Sequence, residues 1–180
     1  MAAARELFAE RGFAGVSREE IVERAGVTRG AMYHYFSSKE HLFEVVFEEV
    51  ERDLCQAAAD AASATSDPVE ELRLGARAFL QLAGQGEVRR IAVLDAPAVV
   101  KPETRRRVNE QYALGVIQAV LVAIDADRRL AVGPPEALAP LLMALLHEAA
   151  TQVADGADEA TTIDLIDQLI DRLTKPRRRR

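Results

Sequence analysis

Apolar residues recur at steps of three and four along most of the chain, which is the spacing that places side chains on one face of an α-helix. The strongest stripe follows a predicted capping box at residues 37–40 and runs along a helix to about residue 62. Its apolar positions are Phe43, Val46, Phe47, Val50 and Leu54.

Weaker stripes of the same period predict the other elements. One side of the helix that begins at Pro102 carries Val108, Tyr112, Val116, Ala119 and Ala123. No segment shows the alternation of a β-strand, so the sequence predicts an all-α fold of about nine helices. The remaining helices are predicted over residues 2–11, 17–25, 28–36, 68–83, 87–95 (broken by Pro97), 135–155 and 162–173.

Residues 17–36 show the pattern of a helix-turn-helix. Ser17 opens the first helix with a capping box, and Gly26 ends it because glycine tolerates the left-handed turn conformation. Val27 is predicted to fill the inside of the turn, and Thr28 to cap the second helix. Apolar residues of that second helix are expected to face the core, which leaves its polar and aromatic residues free to contact a partner; the apolar residues are Ala31, Met32 and Phe36.

Charge is distributed unevenly in this chain, whose formal net charge is −6. Residues 24–39 contain no acid but three basic residues and His34, whereas residues 40–53 contain six acids and one arginine. The overall acidity excludes a general nucleic-acid coat, since DNA would be repelled. A local acid-free helix, in contrast, suits the major groove of DNA.

Several function classes lack sequence support. The single cysteine, Cys55, excludes an intramolecular disulfide framework and a cysteine metal cluster. No glycine-rich phosphate loop or catalytic constellation indicates an enzyme, and neither a cofactor nor a metal is predicted. No apolar run approaches a membrane-spanning length and no signal-peptide pattern is present, so we expect a cytoplasmic protein without a membrane partner.

The first 45 residues resemble the TetR family of bacterial transcriptional regulators. The residues that carry the resemblance are Leu7-Phe8 with Gly12-Phe13, Ser17 with Ile21, Ala25-Gly26-Val27, Gly30-Ala31-Met32-Tyr33, Tyr35-Phe36, Lys39-Glu40 and Leu42. The resemblance implies a helix-turn-helix DNA-binding domain over residues 1–45 and a ligand-binding and dimerisation domain over residues 46–180. It further implies a homodimer that binds a palindromic operator and is released by a small-molecule effector.

The predicted DNA contacts lie around the second helix of the helix-turn-helix. Arg29 is expected to read guanine, and Lys39, at the start of the long helix, to bind phosphate. The four arginines 177–180 are predicted either to attract DNA without specificity or to be solvated. The complete predicted set is Ser17, Thr28, Arg29, Gly30, Tyr33, His34, Tyr35 and Lys39.

The body is predicted to hold the effector and the dimer contacts. Possible cavity residues are Phe79, Arg89, Arg90, Asp95, Tyr112, His147 and Gln152. Each has a structural alternative, such as an Arg90–Asp95 salt bridge or a core histidine at 147. The last two helices are broadly apolar, which predicts a dimer interface on them; the alternative is that the helix around Leu142 is the central core helix of the body. The predicted dimer residues are Leu142, Leu145, Leu146, Ala149, Val153, Ile163, Ile166 and Ile170.

A second hypothesis remains open at the level of the sequence. The net acidity and the short segment before the first helix are also compatible with a helical small-molecule-binding or partner-binding module without specific DNA binding. The first hypothesis, a ligand-responsive repressor, accounts better for the acid-free helix.

Overall fold

The computed structural model of the protein describes residues 1–174, so the arginine tail lies outside the described residues. This part of the chain forms nine helices and, apart from one isolated bridge between Leu130 and Thr174, shows no strand pairing. The all-α prediction is therefore confirmed. The helices are α1 (Ala2–Arg11), α2 (Arg18–Ala25), α3 (Arg29–Tyr35), α4 (Lys39–Ala62), α5 (Pro68–Ala83), α6 (Gly86–Val88, Arg89–Asp95 and Ala96–Val99), α7 (Pro102–Asn109, Glu110–Leu114 and Gly115–Ala126), α8 (Pro135–Ala154) and α9 (Glu159–Leu173).

Two apolar cores are arranged along the long helix α4. The first core joins α1–α3 to the N-terminal half of α4, and it also includes Ile91, Ala96, Val100 and Val108 from the body. The second core joins the end of α4 to α5, α7, α8 and α9. Helices α1–α3, which we call the DNA-binding unit after the predicted domain, thus pack directly against α6 and the start of α7.

The central parts of α6 and α7, Arg89–Asp95 and Glu110–Leu114, are π-helical. A π-turn takes in an extra residue and so rotates everything that follows it by about one position. This rotation makes the predicted stripe of α7 wrong beyond Tyr112, because Val116, Ala119 and Ala123 are exposed. The residues one position later face the core instead: Val120 and Ile124 are buried and Ile117 packs against them, together with the buried Leu121.

Contrary to the prediction, Pro97 does not break α6, since the helix continues to Val99. The preceding π-turn widens the helix, and this widening relieves the usual clash between a proline ring and the carbonyl four residues earlier. The last helix also begins earlier than predicted, at Glu159, because the Asp158 side chain accepts a hydrogen bond from Thr161 N–H at 2.9 Å.

Helix α8 is the one helix among residues 1–174 that is long and apolar enough to cross a membrane by length and composition alone. This finding corrects the expectation that no run reaches such a length. Leu138, Leu142 and Leu146 of this helix lie in the second core, so packing within the body accounts for much of its apolar character.

Candidate DNA-binding surface and ligand cavity

Local sequence fixes the position of α3 against α2. Gly26 ends α2 in the left-handed conformation, with φ 64° and ψ 30°, as predicted. The Thr28 hydroxyl then caps α3 by accepting a hydrogen bond from Ala31 N–H at 3.2 Å. Met32 is buried in the first core and anchors the helix. Val27, in contrast, is 46% exposed and does not fill the turn, which corrects that prediction.

The polar face of α3 is open to solvent. Tyr35 is 72% exposed and the Arg29 side chain 67%, and Tyr33 and His34 are exposed beside them. A Cβ built at Gly30 would meet only the Thr28 hydroxyl, at 3.9 Å, so the backbone there is accessible to a partner. Six predicted DNA residues therefore share one accessible surface, which we call the α3 surface: Thr28, Arg29, Gly30, Tyr33, His34 and Tyr35.

Helix α2 supports the α3 surface in a way that the sequence reasoning missed. Glu19 forms an exposed ion pair with Arg29 at 3.1 Å, and the Arg18 guanidinium lies over the Tyr33 ring at 5.1 Å from its centroid. Arg18 and Glu19 lie in the first turn of α2, next to Ser17, and this position beside α3 could have indicated their contacts with it. Ser17 itself is exposed and completes the predicted capping box with Glu20.

Lys39 has a different role from the predicted phosphate contact. Its ammonium group donates hydrogen bonds to the carbonyl oxygens of Phe13 and Val16, each at 2.9 Å, and lies 4.0 Å from the centroid of the Phe13 ring. These contacts tie the start of α4 to the α1–α2 turn. The cap of α4 is Ser38 rather than the predicted Ser37, because Ser38 accepts from His41 N–H at 3.0 Å.

A mainly apolar cavity lies inside the body between α4, α5, α7 and α8. Together with the open space at its mouth, the cavity measures about 610 Å³. Its wall contains few polar side chains, which is typical of a site for a small apolar molecule. The lining residues are Cys55, Ala58, Ala59, Ala62, Glu71, Leu72, Gly75, Ala76, Phe79, Tyr112, Ala113, Val116, Ile117, Val120, Met143, Leu146 and His147.

Three of the seven predicted ligand residues, Phe79, Tyr112 and His147, line this cavity together. The rings of Phe79 and His147 meet edge to face, with their centroids 5.3 Å apart. Neither Cys55 nor the alanines of α4 were among the possible cavity residues predicted from the sequence. Small residues leave space between helices, so the alanines of α4 could have indicated a cavity beside this helix.

The other four predicted ligand residues lie outside the cavity. Gln152 is exposed and donates to Glu148 at 3.1 Å. The Arg89 guanidinium donates to the carbonyl oxygen of Ala154, at the end of α8. Arg90 forms the salt bridge with Asp95 that was the structural alternative, at 3.4 Å. None of the four lines the cavity: Arg89 joins α6 to α8, and Gln152 contacts only its own helix.

Asp95 and Arg90 connect α6 to the α1–α2 turn of the DNA-binding unit. The Asp95 carboxylate accepts a hydrogen bond from Phe13 N–H at 2.7 Å, and Arg90 Nη2 donates to Arg11 O at 3.4 Å. Gly12, with φ 71°, makes this approach possible, because a Cβ there would lie 1.8 Å from Arg90 Nη2. We call this set of contacts the α6 latch.

Five of the predicted dimer residues are buried within the chain's own second core, namely Leu142, Leu146, Ala149, Ile166 and Ile170. Their burial conflicts with direct contact to a partner. The apolar residues that the last two helices do expose lie on a different face: Leu141 is 67% exposed, Leu165 55% and Leu169 36%. Of the predicted set, Leu145, Val153 and Ile163 are half-buried.

Burial shifts the pKa values of the polar groups in and near the cavity towards their uncharged forms. Burial, with a smaller contribution from Glu51, raises the pKa of the Cys55 thiol to about 12, so this thiol is not a reactive nucleophile. Burial also raises the pKa of Glu51 to about 7 and lowers the pKa of His147. Among the described residues, no group of three or more His, Cys, Asp or Glu side chains is arranged to hold a metal ion.

Two family models match the chain. Residues 1–46 match the one described as bacterial regulatory proteins, tetR family. Residues 69–176, more than half of the chain, match the one described as tetracyclin repressor-like, C-terminal domain. The solved structure of a TetR-family transcriptional regulator from Pectobacterium atrosepticum is 30% identical, with a TM-score of 0.85 over 98% of this chain and 93% of that one.

Other proteins share either the fold or part of the sequence. The transcriptional regulator FadR from Bacillus subtilis, solved with stearoyl-CoA, has a TM-score of 0.72 at 20% identity over 94% of each chain, which shows a common fold. The HTH-type transcriptional activator FasR of Mycolicibacterium smegmatis is 35% identical over 43% of this chain and 35% of its own length. The HTH-type transcriptional repressor AcnR of Corynebacterium diphtheriae is 37% identical over 32% of this chain and 30% of its own. The match thus spans about a third of each curated relative, and the relatives are regulators of transcription. On these matches and its fold, the chain belongs to the TetR family of bacterial transcriptional regulators.

Proposed function

We propose that the protein is a cytoplasmic repressor that binds a palindromic operator as a homodimer and is released by a small molecule. The observation that carries this proposal is the α3 surface, an exposed helix face without acidic residues in the N-terminal part of an acidic chain. Helices of this kind enter the major groove and read base edges with residues near their N-terminus. Thr28, Arg29 and Gly30 occupy that end of α3.

The structure supports a different dimer face from the predicted one. We place the interface on the outward sides of α8 and α9, where Leu141, Leu145, Leu165 and Leu169 are exposed or half-buried. Four helices from two copies would cover these leucines, whose exposure to water is unfavourable. The buried residues Leu142, Leu146, Ala149, Ile166 and Ile170 would support the interface from beneath by positioning the two helices.

The cavity supports effector binding, and the α6 latch supports a route from it to DNA. The wall of the cavity includes Tyr112, Val116 and Val120 of α7, the helix that follows α6 in the chain. A ligand that shifts α7 would move α6, and Asp95 would carry that movement to Phe13 in the DNA-binding unit. The two DNA-binding units of a dimer would then change their separation and leave the operator.

Selection of operators from random DNA duplexes tests this function. We expect the purified full chain to enrich a two-fold-symmetric sequence whose half-sites are centred about one helical turn apart, or slightly more. Binding of the enriched duplex is then measured by gel shift at low and moderate salt. Failure to enrich any sequence at low salt would favour the alternative of a binding module without specific DNA recognition.

Replacing Asp95 with alanine tests the latch without knowledge of the effector. The substitution removes the acceptor of the Phe13 amide, a hydrogen bond to a charged group that contributes about 1.5–3 kcal/mol. We expect amide hydrogen exchange at Phe13 to become about 10- to 100-fold faster. Asp164→Asn, at an exposed acid of α9, is the control and should leave this exchange unchanged. Equal exchange in the Asp95 variant and the wild type would contradict the latch.

A further inference from the structure

The polar atoms of the cavity wall are mainly hydrogen-bond acceptors. His147 Nδ1 lies 2.8 Å from the carbonyl oxygen of Met143. A carbonyl only accepts, so Nδ1 carries the hydrogen, and in the neutral ring Nε2 is an acceptor. Burial lowers the pKa of His147, which favours this neutral form. Nε2 is itself buried and has no hydrogen-bond partner in the structure.

Two other residues give the wall the same character. The Tyr112 hydroxyl donates its hydrogen to Glu48, which lies outside the lining, at 3.2 Å and therefore offers no donor to the cavity. Glu71 adds an acidic side chain to the lining. The remaining polar group, the Cys55 thiol, is only a weak donor. No arginine or lysine belongs to the lining, although the charge of Arg105 reaches His147 from α7.

This distribution discriminates between ligand classes. A buried acceptor without a partner is unfavourable, and a ligand that donates to it removes the penalty. An anionic ligand has no hydrogen to donate to His147 Nε2 and would face Glu71 in a cavity that screens charge poorly. A hydroxyl, in contrast, can donate its hydrogen to Nε2.

We propose that the cavity selects an apolar ligand that carries a hydrogen-bond donor, such as a phenol, over an anionic ligand of the same size. This inference rests on the proposed function, because it names the class of effector for the same site. It also separates this chain from the FadR structure, whose stearoyl-CoA ligand is an acyl thioester with a highly charged carrier.

Three matched compounds test the ligand class by direct binding to the full chain. They are 4-pentylphenol, its methyl ether 4-pentylanisole, and 4-pentylbenzoate, all titrated by calorimetry at neutral pH. We expect the phenol to bind about 5- to 10-fold more tightly than the ether, which is the effect of one neutral hydrogen bond. We expect the benzoate to bind more weakly than the ether.

Substitution of His147 identifies the acceptor. In His147→Phe, the affinity for the phenol should fall to that for the ether, while the ether binds as in the wild type. His147→Met serves the same purpose if the phenylalanine variant does not fold, as judged by circular dichroism. Gln118→Ala, at an exposed residue of α7 outside the lining, is the control and should preserve the discrimination.

The outcomes separate this inference from the proposed function. Equal affinities for phenol and ether, tightest binding of the benzoate, or no binding of any probe would overturn the ligand class. Operator selection by the same preparation would leave the DNA-binding function standing in each of these cases. Selective phenol binding by a chain that enriches no operator would instead refute the proposed function and retain the character of the cavity.

Discussion

The double substitution of Leu141 and Leu165 by glutamate is expected to convert the proposed dimer to a monomer and to weaken operator binding by about 100-fold or more. Both leucines are more than half exposed on the two last helices, so the change leaves the chain's own core intact. In the dimer, four added carboxylates would be buried without partners, and this cost exceeds what an interface of ordinary size supplies. A monomer occupies one half-site and loses the advantage of simultaneous binding.

Sedimentation equilibrium measures the change in mass, and gel shifts with the selected operator measure the affinity. The matched control is Val122→Glu, which adds a charge at an exposed apolar residue of α7 away from the proposed face. This control should remain dimeric. A double variant that sediments as a dimer with unchanged operator affinity would place the interface elsewhere.

Replacement of Arg29 by alanine is expected to weaken binding to the operator by about 30-fold or more, since each half-site loses a base contact of at least about 1 kcal/mol. Binding to random duplexes should change by less than about 3-fold, because phosphate contacts provide most of that affinity. Arg29 must leave Glu19 to reach a base. That exposed ion pair contributes about 0–1 kcal/mol, so its loss costs little.

The comparison requires a control for the loss of a positive charge. Arg106→Ala removes an exposed arginine of α7 in the body and should lower both affinities slightly and equally. Titrations of operator and random duplexes are run at the same salt concentration, because affinity for DNA depends strongly on salt. Equal losses on both duplexes in the Arg29 variant would show that Arg29 contacts phosphate and does not read a base.

Local patterns in the sequence were sufficient to predict most of the helices and the exposure of the α3 surface. Gly26 and Thr28 set the turn and the cap, and Met32 marks the buried side of α3. These features act within a few residues of one another, where backbone conformation and capping decide the outcome. The exposed residues of α3 follow from them because a helix of seven residues that buries one side must expose the other.

Tertiary structure decided what the periodic patterns left open. A π-turn at residues 110–114 changed which side of α7 is buried, and no residue pattern indicated it. The carbonyls of Phe13 and Val16 accept hydrogen bonds from Lys39, and the second core buries Ile166 and Ile170, which were predicted to contact a partner chain. Sequence periodicity records which residues avoid water, whereas only the packed chain determines whether its own helices or a partner cover them.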